Sequence, residues 1–458
     1  EQGKELHDEI RRKGLASDVF VGSTLVSMYG KCGAVTEAEV VFSSLCQRNI
    51  VSWNAMLATY VEQGEGERAL RLYKQMYNEG MPPDECSFVV ALQACGMLAN
   101  QANQITQLKS FHIGRALHLD ARMNGFHSHH LVVSALISMY TKCGIFSQAH
   151  QVFEELLIRD IVTWNALIAG HAQQGQGQEA LKCFEMMLNE GLVPDSITFI
   201  CILKACGNTR DIHKGIQIHE EIIGKGLLEK DVVLGTSLVD MYAKCGLLEK
   251  ARQVLEELPV RNIVSWNALI DGYTQQGRCY EALDCYERMQ SEGLFPTAVT
   301  FICMLKAFGS KGDVDRGKQI HEDIVSRGLI EKDIVLGTAL VDMYAKCGRP
   351  AKAEEVLEKL VVRNVVSWSA LISGYAEYEH AEEALHHFEQ MQHKGVSPGD
   401  GTFLGSLKAC GNLGATIKGQ GIHIAITIKG LEESLLIGNT LVDVYAKCGS
   451  LAEAQQLL

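Results

Sequence analysis

IVTWNALIAGHAQQGQGQEALKCFEMMLNEGLVPD, residues 161–195, decides the fold of this chain. Trp164, Leu167, Ile168 and His171 recur at the spacing that lines one face of a helix. After a turn at Gly175 and Gly177, Ala180, Leu181, Phe184, Met187 and Leu188 line one face of a second helix. Gly191 and then Pro194 are the stop signals that end it. Such a hairpin of two amphipathic helices cannot bury both its faces alone, so it must stack on neighbours.

The neighbours are copies of itself. The phrase around Trp164 returns as IVSWNAM around Trp53, IVSWNAL around Trp266 and VVSWSAL around Trp368. Trp164, Trp266 and Trp368 are 102 residues apart, and Trp53 stands 111 residues before Trp164. Ahead of each lies a YxKCG segment, at Tyr29–Gly33, Tyr140–Gly144, Tyr242–Gly246 and Tyr344–Gly348, with a further copy at Tyr445–Gly449. Behind each lies a third kind: ALQACG at Ala91–Gly96, ILKACG at Ile202–Gly207, MLKAFG at Met304–Gly309 and SLKACG at Ser406–Gly411. The period therefore holds three sub-repeats of 31, 35 and 36 residues, as in 232–262, 263–297 and 298–333. The extra length of the first period falls in the polar run NQANQITQLKS, Asn100–Ser110, which predicts an enlarged loop between helices. An exact long period of helical hairpins predicts an all-α class and an α-solenoid, with one helix of each pair lining a concave side.

Composition agrees with this reading. The chain is 47% hydrophobic with seven Pro, and no apolar stretch approaches a membrane span. A solenoid also escapes the size limit of a single compact core, which 458 residues would exceed. There is no signal segment and no initiator Met. EQGKELHDEIRRKGLASD, residues 1–18, matches the second half of a long sub-repeat, KGIQIHEEIIGKGLLEKD at 214–231. The chain thus begins and ends inside a repeat, as a fragment of a longer protein would. The 15 cysteines read as small buried thiols. Cys32, Cys143, Cys245, Cys347 and Cys448 belong to KCG, while Cys95, Cys206 and Cys410 belong to ACG. Phe308 replaces one of them and no CxxC exists, so neither a metal site nor a disulfide framework is expected, and the compartment is reducing.

A 35-residue hairpin ending in Gly-x-x-Pro-Asp, as GMPPD at Gly80–Asp84 and GLVPD at Gly191–Asp195, resembles the pentatricopeptide repeat. The alternation of short, ordinary and long repeats resembles the plant array whose members are called S, P and L. The resemblance covers essentially the whole chain. It implies one continuous right-handed α-solenoid superhelix, divided as a partial L repeat 1–18, S 19–49, P 50–84, L 85–129 with the insertion, S 130–160 and P 161–195. The series continues as L 196–231, S 232–262, P 263–297, L 298–333, S 334–364, P 365–399, L 400–434 and a partial S repeat 435–458. The tetratricopeptide family, with 34-residue repeats, fits worse, because its WxxLG…Y pattern is missing.

The resemblance implies sequence-specific binding of single-stranded RNA, one base per repeat, with the fifth and last residues of a repeat as readers. In the P repeats these are Asn54 with Asp84, Asn165 with Asp195, Asn267 with Thr297, and Ser369 with Gly399. In the S repeats they are Ser23 with Asn49, Ser134 with Asp160, Thr236 with Asn262, and Thr338 with Asn364, while Asn439 opens the last one. Second residues packing between bases would be Phe20, Val51, Leu131, Val162, Val233, Val264, Val335 and Val366. The bland alternative is that Asn, Ser, Thr and Asp near helix starts are ordinary caps.

Donor and acceptor chemistry is consistent with such readers. An ionised Asp, acceptor only, suits the ring N–H of uracil or guanine, and the NH₂ of Asn suits the bare ring nitrogen of adenine or cytosine. A small Ser or Thr leaves room for a purine, whereas Asn reaches a pyrimidine. The implied target is 5′-A-U-x-G-U-x-A-Y-x-A-3′, with x opposite L repeats, whose fifth residues Val89, Ile200, Ile302 and Leu404 are apolar. The net charge of −13 argues against nucleic acid at first sight, but a binding face is a small part of a solenoid surface. Lys31, Lys142, Lys244, Lys346 and Lys447 recur eight residues after the fifth place of each S repeat, about two helical turns away, and the resemblance makes them phosphate contacts.

The plant triple-repeat class is associated with organellar C-to-U editing, in mitochondrion or chloroplast; no transit peptide is present in these residues. Zinc deaminases need HxE followed by PCxxC. His7-Asp8-Glu9 and His219-Glu220-Glu221 match only the first part, so no catalytic centre, metal or cofactor is expected. Three functions stay open: the RNA-specificity module of an editing factor, with an editing-cofactor protein as a further partner; an RNA-occupancy factor in stabilisation, processing or translation; and a peptide-binding scaffold of tetratricopeptide kind.

Overall fold

The computed structural model describes residues 2–15, 18–100, 104–229, 231–330, 333–378, 380–431 and 434–457. Among the described residues there are 27 α-helices, one 3-10 turn at Phe126–Ser128 and no strand. The chain forms two compact units, Glu1–Ser237 and Leu238–Leu458.

In the first unit, helices Val19–Lys31, Ile50–Glu62, Glu85–Ala99, His130–Lys142, Ile161–Gln173 and Ser196–Thr209 form one layer, each packed on the next. Each has an antiparallel partner: Val35–Ser44, Gly66–Asn78, Gln104–Met123, Phe146–Glu154, Gly177–Asn189 and Ile212–Gly224. The partners of the first five also touch the next helix of the first layer, so every hairpin closes the apolar face of its neighbour. The second unit repeats the pattern. Ile263–Gln275, Ala298–Lys311, Ile334–Lys346, Val365–Glu377, Asp400–Leu413 and Leu435–Lys447 form its first layer. Cys279–Ser291, Val314–Ser326, Pro350–Lys359, Ala381–His393, Thr416–Ile428 and Leu451–Gln456 form its second.

The turns follow from backbone chemistry. Gly191 adopts φ 79°, its N–H bonding to Leu188 O (2.9 Å) and that of Leu192 to Met187 O (3.4 Å), which satisfies carbonyls at the helix end. Close approach within the first layer needs glycine too. A Cβ on Gly170 would stand 2.5 Å from the Thr141 side chain, and one on Gly374 would stand 2.7 Å from Ala345 Cβ.

The four tryptophans are core, each no more than 2% exposed. Trp164 Nε1 donates to Glu190 (2.9 Å) and Trp266 Nε1 to Glu292 (3.0 Å), tying both helices of one hairpin together. Arg159 and Arg261 reach the same two glutamates from the preceding loop, at 2.8 and 2.9 Å. Removing such an indole would cost about 3–5 kcal/mol. Successive repeats are also joined by His–Tyr hydrogen bonds of 2.9 Å: His7 to Tyr29, His118 to Tyr140, His321 to Tyr344 and His423 to Tyr445. Burial pushes His118 and His321 down in pKa, which keeps them neutral in these contacts. His7, the first residue of one HxE triplet, is thus a packing residue.

Two expectations need correction. The run Asn100–Ser110 is not mainly a loop: residues 104–110 begin the 20-residue helix Gln104–Met123, and residues 101–103 lie outside the described residues. No Gly or Pro occurs between Asn100 and Gly114, so nothing stops the helix from growing backwards over a buried Ser110. Nor are all the repeat cysteines buried. Cys95, Cys206 and Cys410 of ACG are, but in KCG only Cys143 is, while Cys32 is exposed and Cys245, Cys347 and Cys448 are intermediate. The KCG cysteine follows the last helical Lys and so sits at the helix end, where the neighbour covers it incompletely. Burial lifts the Cys95 thiol to about 12 and those of Cys143 and Cys410 to about 11, so these sulfurs stay protonated.

Candidate nucleic-acid interface

The last residues of the proposed repeats are helix N-caps. Each stands after a loop, in extended backbone, where the first N–H groups of the next helix lack carbonyl partners. The side chains of Asn49, Asp84 and Asp160 accept from Ser52 N, Ser87 N and Thr163 N at 2.9 Å each. Asp195, Asn262 and Asn364 accept from Thr198 N, Ser265 N and Ser367 N at 2.8 Å each. Thr297 is joined to its helix through its backbone N–H, which donates to Thr300 Oγ1 at 3.1 Å. Gly399 has no side chain to offer, and its N–H donates to Thr402 Oγ1 at 3.3 Å. The cap reading therefore holds for the side chains of Asn49, Asp84, Asp160, Asp195, Asn262 and Asn364, but not for Thr297 or Gly399.

The fifth residues come in two arrangements. In two of the 35-residue repeats they meet the last residue. Asn54 Nδ2 donates to Asp84 Oδ1 and Oδ2 at 2.9 and 3.1 Å, and Asn165 Nδ2 donates to Asp195 Oδ1 at 3.0 Å. A buried hydroxyl closes each cluster. Ser87 donates to Asn54 Oδ1 at 2.7 Å, Thr198 to Asn165 Oδ1 at 2.7 Å and Thr300 to Asn267 Oδ1 at 2.8 Å, while Thr402 lies 2.6 Å from Ser369 Oγ. Burial pushes the Asp195 carboxyl up, but hydrogen bonds from Thr198 and Asn165 outweigh it and hold the group below its usual range, as an ionised acceptor. In the short repeats the fifth hydroxyl turns to its own helix. Ser23 donates to Val19 O (2.6 Å), Ser134 to Leu131 O (2.9 Å), Thr236 to Val232 O (2.9 Å) and Thr338 to Ile334 O (2.8 Å). The proton is used there, leaving the hydroxyl oxygen as an acceptor. Ser23, Asn165, Thr236 and Thr338 are buried, while Asn439, in the last hairpin, is exposed.

Every proposed second residue is exposed, from 41% at Val162 to 75% at Phe20, with Val51, Leu131, Val233, Val264, Val335 and Val366 between. A regular row of uncovered β-branched and aromatic side chains is unusual in a well-packed helical layer. The row extends to residues that the repeat comparison left out: Ile197, Val299 and Leu436, at the same place in their repeats, are 58%, 56% and 63% exposed. Their signal was present in the register, one residue after each helix start.

The lysine row is not uniform. Lys244, Lys346 and Lys447 each bond an aspartate one turn earlier, Asp240, Asp342 and Asp443, at 2.7 Å. Ser27 and Ser138 stand at that place before Lys31 and Lys142. Lys31 is exposed, whereas Lys142 is half-buried, and desolvation pulls its pKa down.

Within the second unit, cavities bring these features together. A cavity of about 320 Å³ is lined by Asp342, Lys346, Val366, Ser369 and Ser373. A second, of about 430 Å³, is lined by Lys408, Leu436, Asn439, Asp443 and Lys447. Each combines an apolar second residue, a polar fifth residue and a lysine. Among the described residues, no group of three or more His, Cys, Asp or Glu side chains could hold a metal. No helix of the described residues is long and apolar enough to cross a membrane.

Comparison with known proteins agrees with this geometry. The PPR repeat family model matches residues 48–97, 159–208, 261–310 and 363–412, and the PPR repeat model matches 23–50, 132–161, 236–263, 299–329 and 338–365. A mitochondrial pentatricopeptide repeat-containing protein of Arabidopsis thaliana is 34% identical over 456 residues, covering 99% of this chain and 43% of the relative. A chloroplastic one from the same plant is 33% identical over 437 residues, covering 95% of this chain and 69% of the relative. The chain thus spans less than half of the first of these two relatives. Among solved structures, the maize pentatricopeptide repeat protein PPR10 has the same fold, with a TM-score of 0.60 at 18% identity over 98% of this chain and 66% of that one. PPR10 in complex with an 18-nt psaJ RNA element gives 0.57 at 18% identity, over 98% of this chain and 77% of that one. With these repeat matches, relatives and helical hairpins in hand, the chain belongs to the pentatricopeptide repeat family.

Proposed function

We propose that this chain is a sequence-specific single-stranded RNA-binding module that reads one base with each of seven P and S repeats, 19–49, 50–84, 130–160, 161–195, 232–262, 263–297 and 334–364. The observation that carries the proposal is the joint placement, in each 35-residue repeat, of a polar fifth residue hydrogen-bonded to the last residue or to the hydroxyl beyond it, beside an exposed apolar second residue. A base lying between successive second residues would meet that polar cluster with its Watson–Crick edge. The RNA-bound PPR10 structure, with the same fold, supports this reading.

The triple alternation of repeats supports the specificity module of an organellar C-to-U editing factor, and the mitochondrial and chloroplastic labels of the relatives support an organelle. A role in stabilisation, processing or translation by RNA occupancy uses the same face. Selection of bound sequences from a random RNA pool tests the proposal. The expected consensus is 5′-A-U-x-G-U-x-A-Y-x-A-3′; a pool that returns no consensus overturns it and favours a protein-binding scaffold.

A further inference from the structure

We infer that the buried hydroxyl three residues beyond the end of each 35-residue repeat, at Ser87, Thr198 and Thr300, is a positioning residue for base recognition; the inference rests on the base-reading role proposed above. An Asn side chain has two amide orientations of almost equal shape, which differ only in which end donates and which accepts. For a residue that reads a base edge, that choice decides the base. With its NH₂ toward the groove, Asn offers a donor to a carbonyl of uracil. Flipped, it offers an acceptor that suits the exocyclic amine of cytosine.

The hydroxyl makes the choice together with its surroundings, since a hydroxyl can donate or accept, and the oxygens of Ser87 and Thr198 also lie 2.8 Å from Asp84 Oδ1 and Asp195 Oδ1. Ser87 Oγ–H reaches Asn54 Oδ1 at 2.7 Å, Thr198 Oγ1–H reaches Asn165 Oδ1 at 2.7 Å, and Thr300 Oγ1–H reaches Asn267 Oδ1 at 2.8 Å. Each holds the amide carbonyl inward. All three hydroxyl residues are fully buried, so none can touch a base and each acts through its Asn. At Asn54 and Asn165 the carboxylates of Asp84 and Asp195 favour the same orientation, because they accept from Nδ2. At Asn267 the last residue is Thr297, and the orienting contact is Thr300. The contact persists in the fourth copy, where Thr402 meets Ser369 although Asn has been replaced. It does not occur in the short repeats. There the equivalent hydroxyls of Ser52, Ser265 and Ser367 turn back to the carbonyl of the capping Asn, at 2.8, 2.8 and 2.9 Å.

That difference supplies a matched test. Ser87→Ala and Ser367→Ala both delete a fully buried hydroxyl at the third position of a capped helix, but only Ser87 touches a fifth residue. Binding of the chain to RNAs varied at one base would be measured together with Tm. Both variants are expected to lower Tm similarly. Ser87→Ala is expected to cut the preference for U over C opposite Asn54 about fivefold, the worth of one hydrogen bond. Ser87→Thr should retain it, since Thr fills this place in the other three copies. Ser367→Ala should leave the preference for A over G opposite Thr338 and Asn364 unchanged. If Ser87→Ala lowers Tm but leaves U over C intact, while Asn54→Ala abolishes it, the inference fails and base reading stands. If both alanine variants lose preference alike, the hydroxyl is merely structural. If the unsubstituted chain has no preference opposite Asn54, the base-reading role and this inference fail together.

Discussion

Lys394 lies over the indole of Trp368, its ammonium 5.2 Å from the ring centroid, in the place where Glu190 and Glu292 accept the Nε1–H of Trp164 and Trp266. Trp368 Nε1 is consequently buried with no partner among the described residues. Arg363 bonds the carbonyls of Leu357 and Glu358 at 3.0 and 2.7 Å. The repeat that has lost its Asn and its terminal Asp, at Ser369 and Gly399, has lost this clamp as well.

Lys394→Glu is expected to stabilise the chain. It would restore an acceptor for Trp368 and an ion pair for Arg363 while giving up a cation–π contact worth about 0.5–1 kcal/mol. A buried donor without a partner costs about 1–3 kcal/mol, so the net gain is about 1 kcal/mol. A rise in the denaturant midpoint with unchanged slope would establish it, and an unchanged or lower midpoint would contradict it.

Asn364→Asp is expected to switch the preference opposite Thr338 and position 364 from A to G by about 1–3 kcal/mol. Stability should hardly move, because Asp84, Asp160 and Asp195 already cap helices with the same acceptor geometry that Asn364 uses toward Ser367 N. Competition binding with the four RNAs differing at this base would read it. Loss of affinity for all four alike would speak against a reader at this position.

Val264→Asp and Ile197→Asp are expected to weaken RNA binding by about 1–2 kcal/mol each, the worth of covering much of an exposed aliphatic side chain. Both residues are 58% exposed in the free protein, so Tm should move by no more than about 0.5 kcal/mol in equivalent stability. An equal effect at both would extend the sandwiching row into the long repeats. No effect at Ile197 would confine that row to the P and S repeats.

Asp342→Asn is expected to free Lys346, which Asp342 holds at 2.7 Å. Affinity should rise, and the dependence of log Kd on log salt should steepen by about one unit as one more phosphate contact forms. An unchanged slope would remove Lys346 from the contact row.

Much of this molecule was legible in one dimension. The spacing of Trp164, Leu167, Ile168 and His171 is a local property of a helix, and the identical spacing around Trp53, Trp266 and Trp368 required a stack of such hairpins. Register carries the same information for the exposed second residues, including Ile197 and Val299 of the long repeats and Leu436 of the last short one. The polar composition of Asn100–Ser110 suggests a loop, whereas the absence of Gly and Pro lets the helix Gln104–Met123 begin there.

Other features depend on pairs of residues about thirty positions apart, which no local pattern encodes. The meeting of Asn54 with Asp84 and Ser87 exists only because one hairpin turns the chain back, so that the next helix starts beside the previous one. The pairing of Arg159 with Glu190 likewise exists only because the hairpin brings its two ends together. Periodicity by itself determined the solenoid, because burying an amphipathic face is a collective demand on many residues. Only the tertiary structure decided which end of Asn54 and Asn165 meets the hydroxyl of the next helix, because a hydrogen bond of 2.7 Å depends on where single atoms come to rest.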